Sequence, residues 1–193
     1  MSSAPAERPP LLNIANVLTG LRLALVPVFL WALFAEDGRA DGWRWLAFWV
    51  FVAAALTDRF DGELARRRGL VTEFGAVLDP IADKALTGSA FLGLSALELI
   101  PWWVTVVIIG REIGVTLLRF WVIRLGVIPA SRGGKAKTFV QALVVGLYLM
   151  PLSGTPVFEA LRWSVLAVAI GLTVVTGLDY VLRALRMRAA AAA

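Results

Sequence analysis

Asp58, Asp61, Asp79 and Asp83 are the residues of this sequence whose types and spacing could do chemistry. They stand between two long apolar runs, the first pair three residues apart and the second pair four. Residues at those separations share one face of a helix, so two helix segments meeting here could each offer a pair of acids to one small volume. That is how a protein builds a divalent-cation site. Gly62, Ala65 and Gly75 leave room for a ligand to approach the backbone, and Arg66 adds a planar, permanently charged donor fork. Magnesium is held by one or two carboxylates plus substrate phosphates, so the combination points to a phosphorylated substrate. The alternative is that the acids only pair with Arg59, Arg66, Arg67 and Arg68 at a membrane surface. A charge at the bilayer centre costs about 2.5–3.5 kcal/mol on insertion scales, so charges near a span usually mark function. Paired structural charges would also need no glycine register.

The elements that must position these residues are set by composition. The chain has 193 residues, of which 59% are hydrophobic, and its mean hydropathy is +0.78. A soluble domain is typically about 45–50% apolar, so this is an integral membrane protein. A span takes about 20 apolar residues, so the length allows about six helices with short connections. The expected architecture is all-α: a six-transmembrane-helix bundle preceded by an interfacial amphipathic helix. With no cysteine and no histidine, disulfides and thiolate ligands are excluded and any metal is held by oxygen, which favours Mg2+ or Mn2+. The net charge of +5 and pI near 10.4 come from basic residues at span ends, a pattern that suits anionic membrane lipid and argues against nucleic acid.

Residues 1–10 read as a small, polar, proline-rich disordered tail, and 11–190 as a single membrane domain. Leu11–Thr19 alternates apolar residues with Asn13, Asn16 and Thr19, as a short helix lying in the interface would. The spans are expected at Leu21–Phe34, bent at Pro27; Trp43–Arg59, running on towards Arg66; Gly75–Leu99; Trp102–Val122; Thr138–Met150; and Phe158–Leu182. Pro80 is tolerable near a helix start. A secretory signal is a poor alternative for the first span, because Leu33 and Ala35 make a weak cleavage site and further spans follow. Six spans put both termini on one side, together with both acid pairs. Arg59, Arg66, Arg67, Arg68, Arg124, Arg132, Lys135, Lys137, Arg183, Arg186 and Arg188 fall on that side, which the positive-inside rule makes cytoplasmic in a multi-pass plasma-membrane protein.

The run Asp58-x-x-Asp61-Gly62-x-x-Ala65-Arg66, then eight residues, then Gly75-x-x-x-Asp79-x-x-x-Asp83, resembles the signature of the CDP-alcohol phosphotransferases without a departure. The resemblance implies that two hard cations are held by Asp58, Asp61, Asp79 and Asp83, with Asp83 as the base that deprotonates the acceptor hydroxyl. A carboxylate between two cations should be a weak base, so its basicity would emerge when it leaves the metal. Thr57, Gly62, Ala65, Arg66 and Gly75 would cradle the CDP group. Asn16, Thr19 and Arg22 match an Asn-x-x-Thr-x-x-Arg element that abuts the nucleotide in many members; helix capping and snorkelling are the alternative account of those three. The family also implies a homodimer.

A second cluster lies in the fourth span and the segment after it. Arg111 and Arg119 are about 12 Å apart along a helix axis at about 1.5 Å per residue, so both can face the bundle interior. Ser131, Lys135, Lys137 and Thr138, with Gly133 and Gly134, read as a flexible basic loop that could cradle a phosphate. Pairing of Arg111 with Glu112 for packing, and a plain anionic-lipid patch, are the alternatives. With Gln141, these residues resemble the branch of the family that makes phosphatidylglycerol phosphate. CDP-diacylglycerol would then be the donor and sn-glycerol 3-phosphate the acceptor, its phosphate among Arg111, Arg119, Lys135 and Lys137. A sister enzyme taking inositol phosphate shares the acid site, and phosphatidylglycerol is a less suitable acceptor for a cluster matched to a compact phosphate. A small ion-coupled transporter is the reading from another class; such proteins often carry internal repeats, and no second copy of the acid motif exists here.

Overall fold

Where water is absent, a backbone can satisfy its own donors only as helices or closed barrels. Among the described residues of this computed structural model there are six α-helices, a 3-10 turn and no strand. The description covers residues 13–68, 73–122, 132–152 and 154–192, without the side chains of 15, 58–68, 73–80, 122, 132 and 190–192. The proposed tail at 1–10 lies outside it. The chain divides into two compact units, Met1–Gly93 and Leu94–Ala193.

The first unit holds α1 (Ile14–Phe34), α2 (Asp41–Arg68) and most of α3 (Glu73–Ala96). Asn13 Oδ1 accepts the Asn16 N–H at 3.0 Å and so starts α1. From there α1 is one continuous helix through Pro27, which corrects the expectation of a separate interfacial helix ending at Thr19. The reason lies in its buried stripe: Thr19, Arg22, Phe29 and Leu33 share one face, so the first turns pack with the rest instead of lying apart. The chain then reverses through the 3-10 turn Ala35–Gly38, where Glu36, Asp37 and Gly38 all take positive φ (51°, 56° and 68°). Trp43 Nε1 donates to Glu36 Oε1 at 3.3 Å, and the Trp31 and Trp43 rings meet edge-on at 4.7 Å across this reversal. Ala47, Phe48, Phe51 and Ala54 form the buried face of α2, with Phe51 6.0 Å from Phe29 of α1 between ring centroids. Gly93 lets α3 approach α1 closely, since a Cβ there would come to 2.5 Å from Leu33 Cδ2.

In the second unit α3 ends at Ala96, three residues earlier than expected. Glu98 takes a left-handed φ of 58°, its N–H reaches Ser95 O and the Leu99 N–H reaches Leu94 O at 2.9 Å, which terminates the helix in a Schellman motif. α4 (Trp102–Val122) starts where expected, and α6 (Pro156–Ala192) packs against both α4 and α5 (Arg132–Leu149). Ser95 and Thr105 share a buried hydroxyl hydrogen bond of 2.6 Å. Across both units the exposed positions include Trp31, Trp49, Val106, Ile113, Leu117, Phe120 and Val175, an apolar outside that suits a hydrocarbon solvent.

Arg162 holds the α5–α6 connection. Its Nε donates to Leu147 O at 3.0 Å, its Nη2 to Met150 O at 2.6 Å and its Nη1 to Glu159 Oε1 at 2.8 Å, with the guanidinium over the Tyr148 and Phe158 rings. A helix leaves its last carbonyls without intrahelical donors, and here one buried cation supplies two. Arg162→Met should therefore lower stability in detergent by about 3 kcal/mol, since a hydrogen bond to a charged group contributes about 1.5–3 kcal/mol. Thermal unfolding followed by circular dichroism measures the loss, and an unchanged midpoint would contradict it.

Candidate active site

The acids lie on two helices of the first unit. Asp58 and Asp61 are on α2, one turn apart, and Asp79 and Asp83 are on α3, also one turn apart. Gly62, Ala65 and Arg66 continue α2 beyond its acids, and Gly75 stands in the first turn of α3. The side chains of Asp58, Asp61, Ala65, Arg66 and Asp79 lie outside the described residues, while Asp83 is half-buried. Among the described residues no group of three or more His, Cys, Asp or Glu side chains comes together. The chemistry of the four acids, all hard oxygen donors, fits Mg2+ or Mn2+.

Pro80 corrects an expectation: it is the eighth residue of α3, past the first turn. Lacking an N–H, it cannot donate to the Ala76 carbonyl, so the helix forgoes the internal hydrogen bond between Ala76 and Pro80. Asn16 is half-buried, and Thr19 and Arg22 are each 1% exposed. Snorkelling therefore does not describe Arg22, and the capping role belongs to Asn13. Thr57 is half-buried and its hydroxyl donates to Ala53 O at 2.7 Å.

The basic cluster lies in the second unit, across α4, α5 and α6. Arg111 Nη1 donates to Glu112 Oε1 at 3.1 Å and its Nη2 to Thr176 Oγ1 at 3.1 Å. Lys137 Nζ donates to the same Glu112 oxygen. Gly177 admits the Arg111 stem, because a Cβ there would stand 3.2 Å from Arg111 Cγ. Arg119 is exposed rather than interior, and its Nη2 donates to the Tyr180 hydroxyl at 2.7 Å. Gln141 Nε2 donates to Thr173 Oγ1 at 3.0 Å, behind the charges. Among the described residues, three cations against one carboxylate leave the cluster two charges positive, the complement of a phosphate monoester dianion.

The expected flexible loop is largely helix. α5 begins at Arg132, so Gly133, Gly134, Lys135, Lys137 and Thr138 form its first two turns, while Ser131 lies outside the described residues. Thr138 is exposed and its hydroxyl donates to Gly134 O at 3.2 Å; Lys135 is exposed and Lys137 buried. Two glycines cost a helix about 1 kcal/mol each relative to alanine, and the docking of Lys137 and Gln141 offsets this. Cations at a helix N-terminus oppose the macrodipole, a conflict that an anion bound there would relieve.

The model of the family described as CDP-alcohol phosphatidyltransferase matches residues 12–175. The chain belongs to this family. A phosphatidylglycerophosphate synthase so named, as probable, in Mycobacterium tuberculosis is 59% identical over 181 residues, covering 94% of this chain and 86% of the relative. A CDP-diacylglycerol–glycerol-3-phosphate 3-phosphatidyltransferase of Bacillus subtilis is 36% identical, covering 87% of this chain and 93% of the relative. The crystal structure of apo phosphatidylinositol phosphate synthase from Mycobacterium tuberculosis shares the fold, with a TM-score of 0.59, 24% identity and coverage of 89% of this chain and 90% of that one. The CDP-alcohol phosphatidyltransferase assignment agrees with the resemblance carried by the acid motif.

Sequence reasoning missed the α6 side of the basic cluster. Thr173, Thr176, Gly177 and Tyr180 recur at three- and four-residue steps along the middle of α6, where Asp179 is the one charged residue between Trp163 and Leu182, a polar stripe that was legible as such. Glu112 keeps the buried Lys137 and the half-buried Arg111 in register. Glu112→Ala should destabilise the protein by about 2–3 kcal/mol, below the usual range for a broken buried pair because Glu112 is partly exposed. Glu112→Gln with Lys137→Met should recover most of the loss. Thermal unfolding of the single and double variants checks this.

Proposed function

We propose that this CDP-alcohol phosphatidyltransferase transfers the phosphatidyl group of CDP-diacylglycerol to sn-glycerol 3-phosphate, giving phosphatidylglycerol phosphate and CMP. The observation that carries the choice of acceptor is the excess of two positive charges at Arg111, Arg119, Lys137 and Glu112, which suits a compact dianion. The two relatives named for this reaction support it.

In the proposed reaction the acceptor's free hydroxyl attacks the phosphorus that carries the diacylglycerol. A new P–O bond forms, the P–O bond to CMP breaks, and CMP leaves with the electron pair. Asp83, half-buried on α3, takes the hydroxyl proton. Asp58, Asp61, Asp79 and Asp83 would hold one or two divalent cations, which supply charge neutralisation at the pyrophosphate. Arg66 would pair with the nucleotide phosphates, with Gly62, Ala65 and Gly75 leaving space beside it. We assign Asn16 and Thr57 to the wall of the nucleotide site and the buried Thr19 and Arg22 to its floor. Arg111, Arg119 and Lys137 would hold the acceptor phosphate, with Ser131, Lys135 and Thr138 at its rim.

We further propose that α1–α6 all cross the bilayer within one membrane domain, with the active site and both termini cytoplasmic. Even the shortest, α5, has 18 residues, about 27 Å of helix against a hydrocarbon core of about 30 Å. Among the described residues two stretches qualify as spans by length and composition, Asn16–Gly38 and Pro156–Ala189. Charged residues lower the apolarity of the other four helices. A homodimer would cover part of the exposed apolar surface, and anionic lipid would face the basic helix ends.

CMP release by the purified protein in detergent tests this reading. With Mg2+ and CDP-diacylglycerol, glycerol 3-phosphate should support release and inositol phosphate should not. Asp61→Asn should reduce release at least a thousandfold, whereas Lys135→Ala should chiefly raise KM for the acceptor. Near-normal turnover by Asp61→Asn would overturn the metal assignment, and release with inositol phosphate alone would overturn the acceptor.

A further inference from the structure

Tyr180 joins the two arginines of α4. The guanidinium carbons of Arg119 and Arg111 lie 5.1 and 5.7 Å from its ring centroid, and its hydroxyl accepts from Arg119 Nη2 at 2.7 Å. Two cations that would repel one another are thus both attracted to one neutral ring. The ring itself is fixed: Tyr180 is 3% exposed and packs with Val115 and Ala184, with Leu118 and Met187 against them. A phenol that accepts one hydrogen bond still has its own hydrogen to donate. That hydrogen has no acceptor among the described residues.

We propose that Tyr180 is an acceptor-binding residue: it holds Arg119 in place and donates its own hydroxyl hydrogen to an oxygen of the acceptor's phosphate monoester. This rests on the reading of the basic cluster given above. A phosphate monoester has three terminal oxygens, enough to engage Arg111, Arg119, Lys137 and a hydroxyl together. A phosphodiester has two and one charge fewer, so Tyr180 also favours a small phosphorylated alcohol over a phospholipid headgroup as acceptor.

The test compares Tyr180→Phe, Arg119→Ala and the double variant of the full chain in detergent, by steady-state CMP release and thermal unfolding. Tyr180→Phe keeps the ring and its packing and removes only the hydroxyl. It should raise KM for glycerol 3-phosphate roughly tenfold, as loss of a hydrogen bond to a charged group does, with kcat, KM for CDP-diacylglycerol and the unfolding midpoint unchanged. Adding it to Arg119→Ala should raise that KM by a smaller factor than in the wild type, because part of its action runs through Arg119. An acceptor KM within twofold of wild type for Tyr180→Phe, with Arg119→Ala clearly raised, would overturn the role of Tyr180 alone. If Arg119→Ala also left that KM unchanged, the reading of the cluster as the acceptor site would itself fall.

Discussion

A cation buried in an apolar bundle must have a counter-charge or a polar partner, and the second unit is arranged around that requirement. The side chains of Lys137 and Arg111 are 5% and 12% exposed, and both donate to one oxygen of Glu112. The pair draws α4 and α5 together, while Thr176 ties Arg111 to α6. Much else follows from that junction. α5 starts through two glycines so that Lys137 and Gln141 reach the interior, and α6 carries a glycine at 177 where the Arg111 stem lies. Among the described residues one carboxylate does not balance the cations, so the arrangement is complementary to an anion.

The sequence was most legible where one physical cause acted alone. The start of α4 follows from Pro101 and two interfacial tryptophans, and the structure begins the helix at Trp102. It was less legible where tertiary packing competed with local propensity. Gly133 and Gly134 read as a loop by propensity, yet the segment is helical because its lysine and glutamine are buried further along. Leu11–Thr19 reads as interfacial by alternation, yet from Ile14 it belongs to α1 because Thr19 and Arg22 continue the stripe of Phe29 and Leu33. The acid motif was legible as chemistry because four carboxylates in an apolar chain have few other uses. Arg162 left no comparable mark, since a single arginine near a helix start gives no sign that it will bind carbonyls fifteen and twelve residues back.

The same energetics divide the polar work among the helices. Charged residues lower a helix's apolarity steeply, and the acids of α2 and α3 and the cations of α4 and α5 lie in helices outside the two stretches apolar enough to qualify as spans. α6 does qualify, and it still brings Thr173, Thr176 and Tyr180 to the basic cluster. It can do so because hydroxyls cost far less to bury than charges, and less again when they also bond within their own helix. Thr173 donates to Ala169 O and Thr176 to Leu172 O in this way. A hydropathy reading therefore sees α6 as a plain anchor. Its neutral donors and acceptors orient cations and an amide supplied by its neighbours, so α6 takes part in the cluster through hydroxyls rather than through a charge of its own.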